Sequence, residues 1–245
     1  MLRNLATLLI LSNFFYNINT TGINYTSQPN SQQDKYLNEN FFYNKRNGVF
    51  VDIGAHDGIS YSNSYFFEKA LNWTGICIEP QLEEFTKLKN NRNCICLNAC
   101  VSNQDGIVKF IKVPTLNPLA NVYPEYNNNM LSGMLETFHP GHFARLQLMG
   151  IFSYDIIEVR ALKLNNILKE NNIYYIDYLS IDTEGGEIEI LKSIDYDIYY
   201  IYTITVENNY ADSEIRKFME SKNFKFLTHL GQDEVYINTN SLKRY

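Results

Sequence analysis

Two short stretches hold residues whose types and spacing could bind a nucleoside. Phe50-Val51-Asp52-Ile53-Gly54-Ala55-His56-Asp57-Gly58 is an apolar run that ends in an acid and a glycine-bearing turn. Further along, Gly75-Ile76-Cys77-Ile78-Glu79-Pro80 is a second apolar run that ends in a carboxylate. A glycine after a strand lets a ligand approach the backbone closely. A carboxylate at a strand end has two oxygens with which to accept hydrogen bonds from a pair of ribose hydroxyls. Two further acidic groups follow apolar runs: Asp182-Thr183-Glu184-Gly185-Gly186-Glu187 after Tyr175–Ile181, and Glu207-Asn208-Asn209-Tyr210 after Tyr199–Val206.

The glycine spacing discriminates between cofactors. A dinucleotide site uses G-x-G-x-x-G, which seats a pyrophosphate on a helix N-terminus. Here the spacing is Gly54-x-x-x-Gly58, with Asp52 ahead of it and no middle glycine. An acidic, wider turn suits a ligand with an amine and a cationic centre, and S-adenosylmethionine has both. Asp52, Gly54, Ala55 and Gly58 are then expected around its methionine portion, Glu79 on its ribose and Ala99 beside its adenine. Asp182, Glu184 and Glu207 are the carboxylates expected near an acceptor, where one takes the proton from an attacking hydroxyl. Alternatively Asp182, Glu207 and Asn208 offer oxygen ligands to a divalent cation. Glu187 stands near the start of a helix, where an acid commonly caps.

The elements that must position these groups follow from the apolar pattern. Strands are expected at 49–53, 75–79, 94–99, 107–112, 155–161, 176–181, 200–206, 224–229 and 234–238. Helices are expected at 34–43, 62–71, 81–90, 163–170, 185–193 and 211–221. Short apolar strands alternating with helices predict a mainly parallel, doubly wound α/β sheet with helices on both faces. In such sheets ligands lie beyond the carboxyl ends of the strands, which is where all the named acids fall. Residues 113–154 break the rhythm with Pro114, Pro118, Pro124 and Asn127-Asn128-Asn129, and read as a lid-like insertion. It holds His139 and His142, either a base delivered by the lid or surface histidines.

With the structural frame in place, the ordered motifs resemble the FkbM family of S-adenosylmethionine-dependent methyltransferases. The resemblance is carried by Val51–Gly58, Ser62–Glu68, Ile78-Glu79-Pro80, Ile176–Gly185, Thr205–Tyr210 and Asp233–Tyr236, with Ser31–Lys35 upstream. It spans about residues 31–238. It implies a Rossmann-like seven-stranded methyltransferase sheet with an antiparallel last strand, and O-methylation of a sugar or other small-molecule hydroxyl. A non-catalytic binding module and a nicotinamide-dependent oxidoreductase are the alternative readings.

Composition bounds the rest. A chain of 245 residues that is 45% hydrophobic and 20% charged is long enough for one α/β domain with a full core. The net charge of −6 and the lack of a basic stripe argue against a nucleic-acid partner; the small-molecule or glycan acceptor is what the family resemblance implies. Cys77, Cys94, Cys96 and Cys100 do not have the paired spacing of a zinc site and read as buried strand thiols. Residues 1–30 read as an apolar segment followed by a polar linker, with the domain occupying 31–245. Arg3 followed by Leu5–Leu11 fits a secretory or anchoring segment as well as it fits a disordered or helical extension of a cytoplasmic protein. Membrane association is expected only through this segment.

Overall fold

The computed structural model describes residues 24–115 and 128–240. The N-terminal apolar segment and part of the insertion fall outside these residues. The chain enters through α1 (Gln33–Leu37), which continues into a π-helical turn at Asn38–Phe42. An alternation follows: β1 (Val49–Ile53), α2 (Tyr65–Leu71), β2 (Thr74–Ile78), α3 (Leu82–Asn91) and β3 (Ile95–Leu97). Next come β4 (Cys100–Ser102), β5 (Gly106–Lys112), β6 (Gly133–Met134), α4 (Pro140–Leu148) and β7 (Asp155–Lys163). The chain then resumes its alternation with α5 (Leu164–Glu170), β8 (Tyr175–Ile181), α6 (Glu187–Ser193), β9 (Tyr200–Glu207) and α7 (Ser213–Ser221). It closes with the hairpin β10 (Phe224–Leu230) and β11 (Asp233–Asn238).

Seven strands form the main sheet in the order β10-β11-β9-β8-β1-β2-β3. All its neighbours pair in parallel except β11, which runs antiparallel to both β9 and β10. This is the expected seven-stranded sheet with its antiparallel last strand. Both faces are covered, which is why the inner strands are apolar throughout. Val51, Ile53, Ile76 and Ile78 point into a core with α5, α6 and α7. Phe50, Cys77 and Tyr178 point to the other side, into an aromatic core with Phe66, Phe67 and Trp73.

Three expectations need correction. First, β4, β5, β6 and β7 form a separate four-stranded sheet in the order β4-β7-β5-β6. The segment expected as one strand over 94–99 ends at Leu97, and the chain crosses at Asn98-Ala99 into this second sheet. Second, α2 begins at Tyr65, not at 62, because Ser62 Oγ accepts the N–H groups of Ser64 and Tyr65 and so caps the turn. Third, residues 25–31 are not a linker. Tyr25 packs on Phe66 with ring centroids 4.3 Å apart, and Asp34 accepts the N–H groups of Thr26 and Ser27 at 2.6 and 3.2 Å. Their polarity serves internal hydrogen bonds. The insertion likewise has its own core of Ile111, Val113, Leu131, Phe138, Leu146 and Ile151, so its described part is a packed wall.

The switch point lies between β1 and β8, whose register pairs Asp52 with Ser180 and Ile53 with Ile181. Beyond it the two strand ends remain in contact, and Asp182 N–H donates to Ile53 O at 3.0 Å. Gly54 sits in this contact at φ +87°, and a Cβ there would lie 1.8 Å from the Asp182 carbonyl oxygen. Neither the backbone angle nor the space admits a side chain. Gly54→Ala is therefore expected to cost at least about 2 kcal/mol of stability, or to abolish folding. Urea titration checks this, and a loss under about 0.5 kcal/mol would contradict it.

Candidate active site

The strand ends of β1, β2, β8 and β9 rim a cavity of ≈ 560 Å³, closed on its far sides by the second sheet and by residues 28–33. Of the expected site residues, Asp52, Gly54, Ala55, Glu79, Ala99, Asp182, Glu184 and Glu207 all line it. Gly58 lies outside this lining. A Cβ on Gly58 would meet Leu88 and Arg92 at 2.6 and 2.8 Å, so this glycine serves the packing of α3 against the turn.

At one end Glu79 is buried and held by the turn it faces. Its Oε2 accepts His56 N–H at 3.0 Å and its Oε1 accepts Gln81 N–H at 2.8 Å. Each oxygen thus keeps a lone pair for a further donor. Burial pushes its pKa up to about 7, against the lowering pull of those two N–H groups and of His56. His56 adopts a left-handed backbone, φ 47°, which turns its N–H toward Glu79. The insertion braces this corner: Asn129 meets His56 Nε2 at 3.2 Å and donates to Glu84 at 2.8 Å.

Asp52 lies beneath the turn. Ser64 Oγ donates to it, and the nearby Arg92 guanidinium opposes the rise in pKa that burial imposes. Arg92 is itself buried and bonded to Glu68 through Nε and to Ser64 Oγ at 2.9 Å. Sequence reasoning missed Arg92 because Asn90-Asn91-Arg92-Asn93 reads as an exposed turn.

The opposite end is acidic. Asp182, Glu184 and Glu207 each present a carboxylate oxygen within 4.8 Å of the others. Glu184 is also held in a left-handed backbone, φ 58°. Asn209 donates to it at 3.1 Å, and Arg145 of α4 stands 3.7 Å away. Burial is the largest cause of raised pKa values in all three acids, and repulsion from neighbouring carboxylates adds to it, from Asp182 on Glu184 and Glu207 and from Asp233 and Glu187 on Asp182. Asp182 is pushed up to about 7, although a hydrogen bond with Glu207 opposes the rise. Asp233, the first residue of β11, adds a fourth carboxyl, bonded to Gln33 at 2.7 Å and raised by burial to about 6. Glu187 does not cap α6 as expected, because its side chain folds back onto the preceding turn, where its Oε1 accepts the N–H groups of Thr183 and Gly185 at 2.9 and 3.0 Å.

Two expectations change here. Asn208 does not join the acids; its amide is spent on the Asp212 backbone, and Glu184 takes the third place. His142 is not a surface histidine. It is fully buried, with Nε2 3.1 Å from Leu131 O and Nδ1 3.3 Å from Glu184 Oε2. Burial and the Arg145 charge lower its pKa to about 4. His139 stays exposed and stacks on Tyr210 at 3.9 Å.

A doubly wound sheet with a strand-end carboxylate and a cavity at its switch point belongs to the class of nucleoside-cofactor-binding α/β proteins. The chain belongs to the FkbM methyltransferase family: the methyltransferase FkbM domain matches residues 52–226. No curated protein matches it. Among solved structures it is similar to the FkbM methyltransferase of Methylobacillus flagellatus, at 12% identity and a TM-score of 0.43. That likeness covers 96% of this chain but only 59% of the other. M. capricolum TrmK, solved with S-adenosylhomocysteine, is similar at 12% identity over 87% of this chain and 68% of that one, TM-score 0.40. A methyltransferase from Pyrococcus furiosus is similar at 12% identity over 95% of both chains, TM-score 0.38.

The buried acids give a signed pH dependence. A carboxyl whose pKa is higher in the folded state stabilises that state below its unfolded pKa, and the contribution is lost as pH rises through the folded value. For Asp182 that window runs from 3.8 to about 7. The ligand-free protein should lose stability across it. Asp182→Asn should flatten the profile and raise stability near pH 8 by about 1–3 kcal/mol, a range discounted for partial exposure. Chemical denaturation at a series of pH values reads this directly; an unchanged slope in the variant would refute the assignment.

Proposed function

We propose that this protein transfers a methyl group from S-adenosylmethionine to a hydroxyl of a sugar or other small molecule. One observation carries the reading: a single cavity has a ribose-type carboxylate, Glu79, at one end and a carboxylate cluster at the other. The residues fit the cofactor. Glu79 retains acceptor capacity for two hydroxyls, and Ala99 leaves room at the mouth of the second sheet for a flat ring. Gln33 Oε1 and Asn63 Oδ1 line the same cavity, are buried and accept no hydrogen bond from the protein. Such acceptors suit an ammonium group.

When bound, the cofactor supplies an electrophilic methyl on a sulfonium. The protein's part is to orient the acceptor in line with that methyl and to receive the hydroxyl proton. Asp182 is placed for the second task, because a base is most effective when its pKa lies near the working pH, and burial sets it there. Glu207 stands beside it within reach of the same proton. The second sheet and α4 shield the acceptor end from bulk water. The acidic lining and the net charge of −6 favour a neutral or cationic acceptor and disfavour nucleic acid.

Isothermal titration of the full chain with S-adenosylmethionine and S-adenosylhomocysteine tests the first half. Binding is expected, and Glu79→Ala should weaken it about 10–100-fold, the worth of hydrogen bonds to a charged group. Glu79→Gln serves as a second variant, with circular dichroism confirming the fold of each. A folded protein that binds neither ligand would sink the proposal. A panel of sugar, phenol and amine acceptors tests the second half, and methylation confined to amines would refute O-methylation.

A further inference from the structure

We propose that Asp182, Glu184 and Glu207 hold a divalent cation of the hard, oxygen-preferring kind, Mg²⁺, Mn²⁺ or Ca²⁺, at the acidic end of the cavity. The inference rests on the reading of that end as the acceptor side. Around one such ion, ligand oxygens about 2.0–2.6 Å from it lie roughly 3 Å apart when adjacent and about 4–5 Å apart when opposed. The three carboxylates, with one oxygen each within 4.8 Å of the others, already have that spacing. They come from three fixed points: the end of β8, the strained left-handed turn after it, and the end of β9. The turn is locked from behind by Glu187 and from the side by Asn209.

Two unpartnered groups point to a missing positive charge. Glu207 is 7% exposed, and its Oε2 is buried without a hydrogen-bond donor. His142, from a different element, is wholly buried, and its Nδ1 has no hydrogen-bond partner. Its Nε2 faces the Leu131 carbonyl, which only accepts, so Nε2 carries the ring proton and Nδ1 presents a lone pair. That lone pair faces Glu184 Oε2 across 3.3 Å. Acceptors set against acceptors in a buried site are costly unless a cation or a proton lies among them. Arg145, partly exposed and 3.7 Å from Glu184, is the one guanidinium against this cluster among the described residues. An all-carboxylate set selects the hard cations over zinc or copper. The bound ion would neutralise the cluster and fix an acceptor oxygen beside Asp182, lowering that hydroxyl's pKa.

The test uses the full chain after treatment with a chelator. Mn²⁺ binding is followed by electron paramagnetic resonance. Mg²⁺ and Ca²⁺ binding are followed by calorimetry and by the shift in Tm, each with and without S-adenosylhomocysteine. One saturable site per chain is expected, with a raised Tm. Glu207→Gln and Asp182→Asn should each weaken cation binding at least tenfold, while Glu214→Gln, on the exposed face of α7, leaves it unchanged. The two near-isosteric variants sit on different strands, so a folding failure in one leaves the other decisive. Lack of saturable binding at millimolar cation, or affinities untouched by both variants, would overturn the site. S-adenosylmethionine affinity measured on the same samples separates the two readings. Cofactor binding without cation binding removes the ion and leaves methyl transfer standing. Cation binding by a chain that binds no cofactor upholds the ion and removes methyl transfer.

Discussion

The parallel pairing of β1 with β8 is the constraint on which the site depends. It is the point where strand order reverses, and the two strands stay in contact past their last paired residues because Gly54 has no side chain to hold them apart. That contact sets the Asp182 backbone against the Ile53 carbonyl. From there the neighbouring strands inherit their heights: β2 carries Glu79 to the same edge as Asp52, and β9 carries Glu207 to the same edge as Asp182. Four acids from four strands meet around one cavity through the register of a parallel sheet, with no loop long enough to have chosen their positions.

The main sheet was legible because its signal is strong. Its inner strands are buried on both faces and read as unbroken apolar runs, while helices of moderate length separate them. The strand-end acids were legible for the same reason, since a run that stops in a charge marks its own end. The second sheet was not. β4 and β6 have three and two residues, too few for any period to show, and β5 and β7 read as two more strands of the same series. Only their antiparallel pairing, set by contacts far apart in sequence, removes them from the main sheet.

Within the site, failures of reading share one cause. Thr26, Gln33, Arg92 and His142 are polar side chains whose hydrogen-bond partners lie outside their own elements. In the sequence a polar residue that bonds inward looks the same as one that faces water. Asn208 illustrates it: it looks like a ligand and is consumed locally by Asp212. Glu184 was legible as an acid of the site, but not the left-handed backbone that turns it into the cluster.

Charge is divided unevenly between the two ends of the cavity, and that division gives the molecule its chemical direction. Beneath the first turn, Asp52 and Glu68 share the buried Arg92, and Glu79 is served by two backbone N–H groups, so the fold itself offsets part of the cost of burying negative charge there. At the far end Asp182, Glu184, Glu207 and Asp233 gather against a half-exposed Arg145 and a neutral imidazole. Removing three carboxylates from water without pairing them would cost several kcal/mol for each, a sum comparable with the whole net stability of about 5–15 kcal/mol that a domain retains. Protons can supply the balance, and burial raises all three pKa values in the direction that favours their uptake. A site that must take up positive charge to be stable is also one that will accept it from a reacting hydroxyl or from an ion, so the same burial that burdens the fold equips the acidic end for proton transfer.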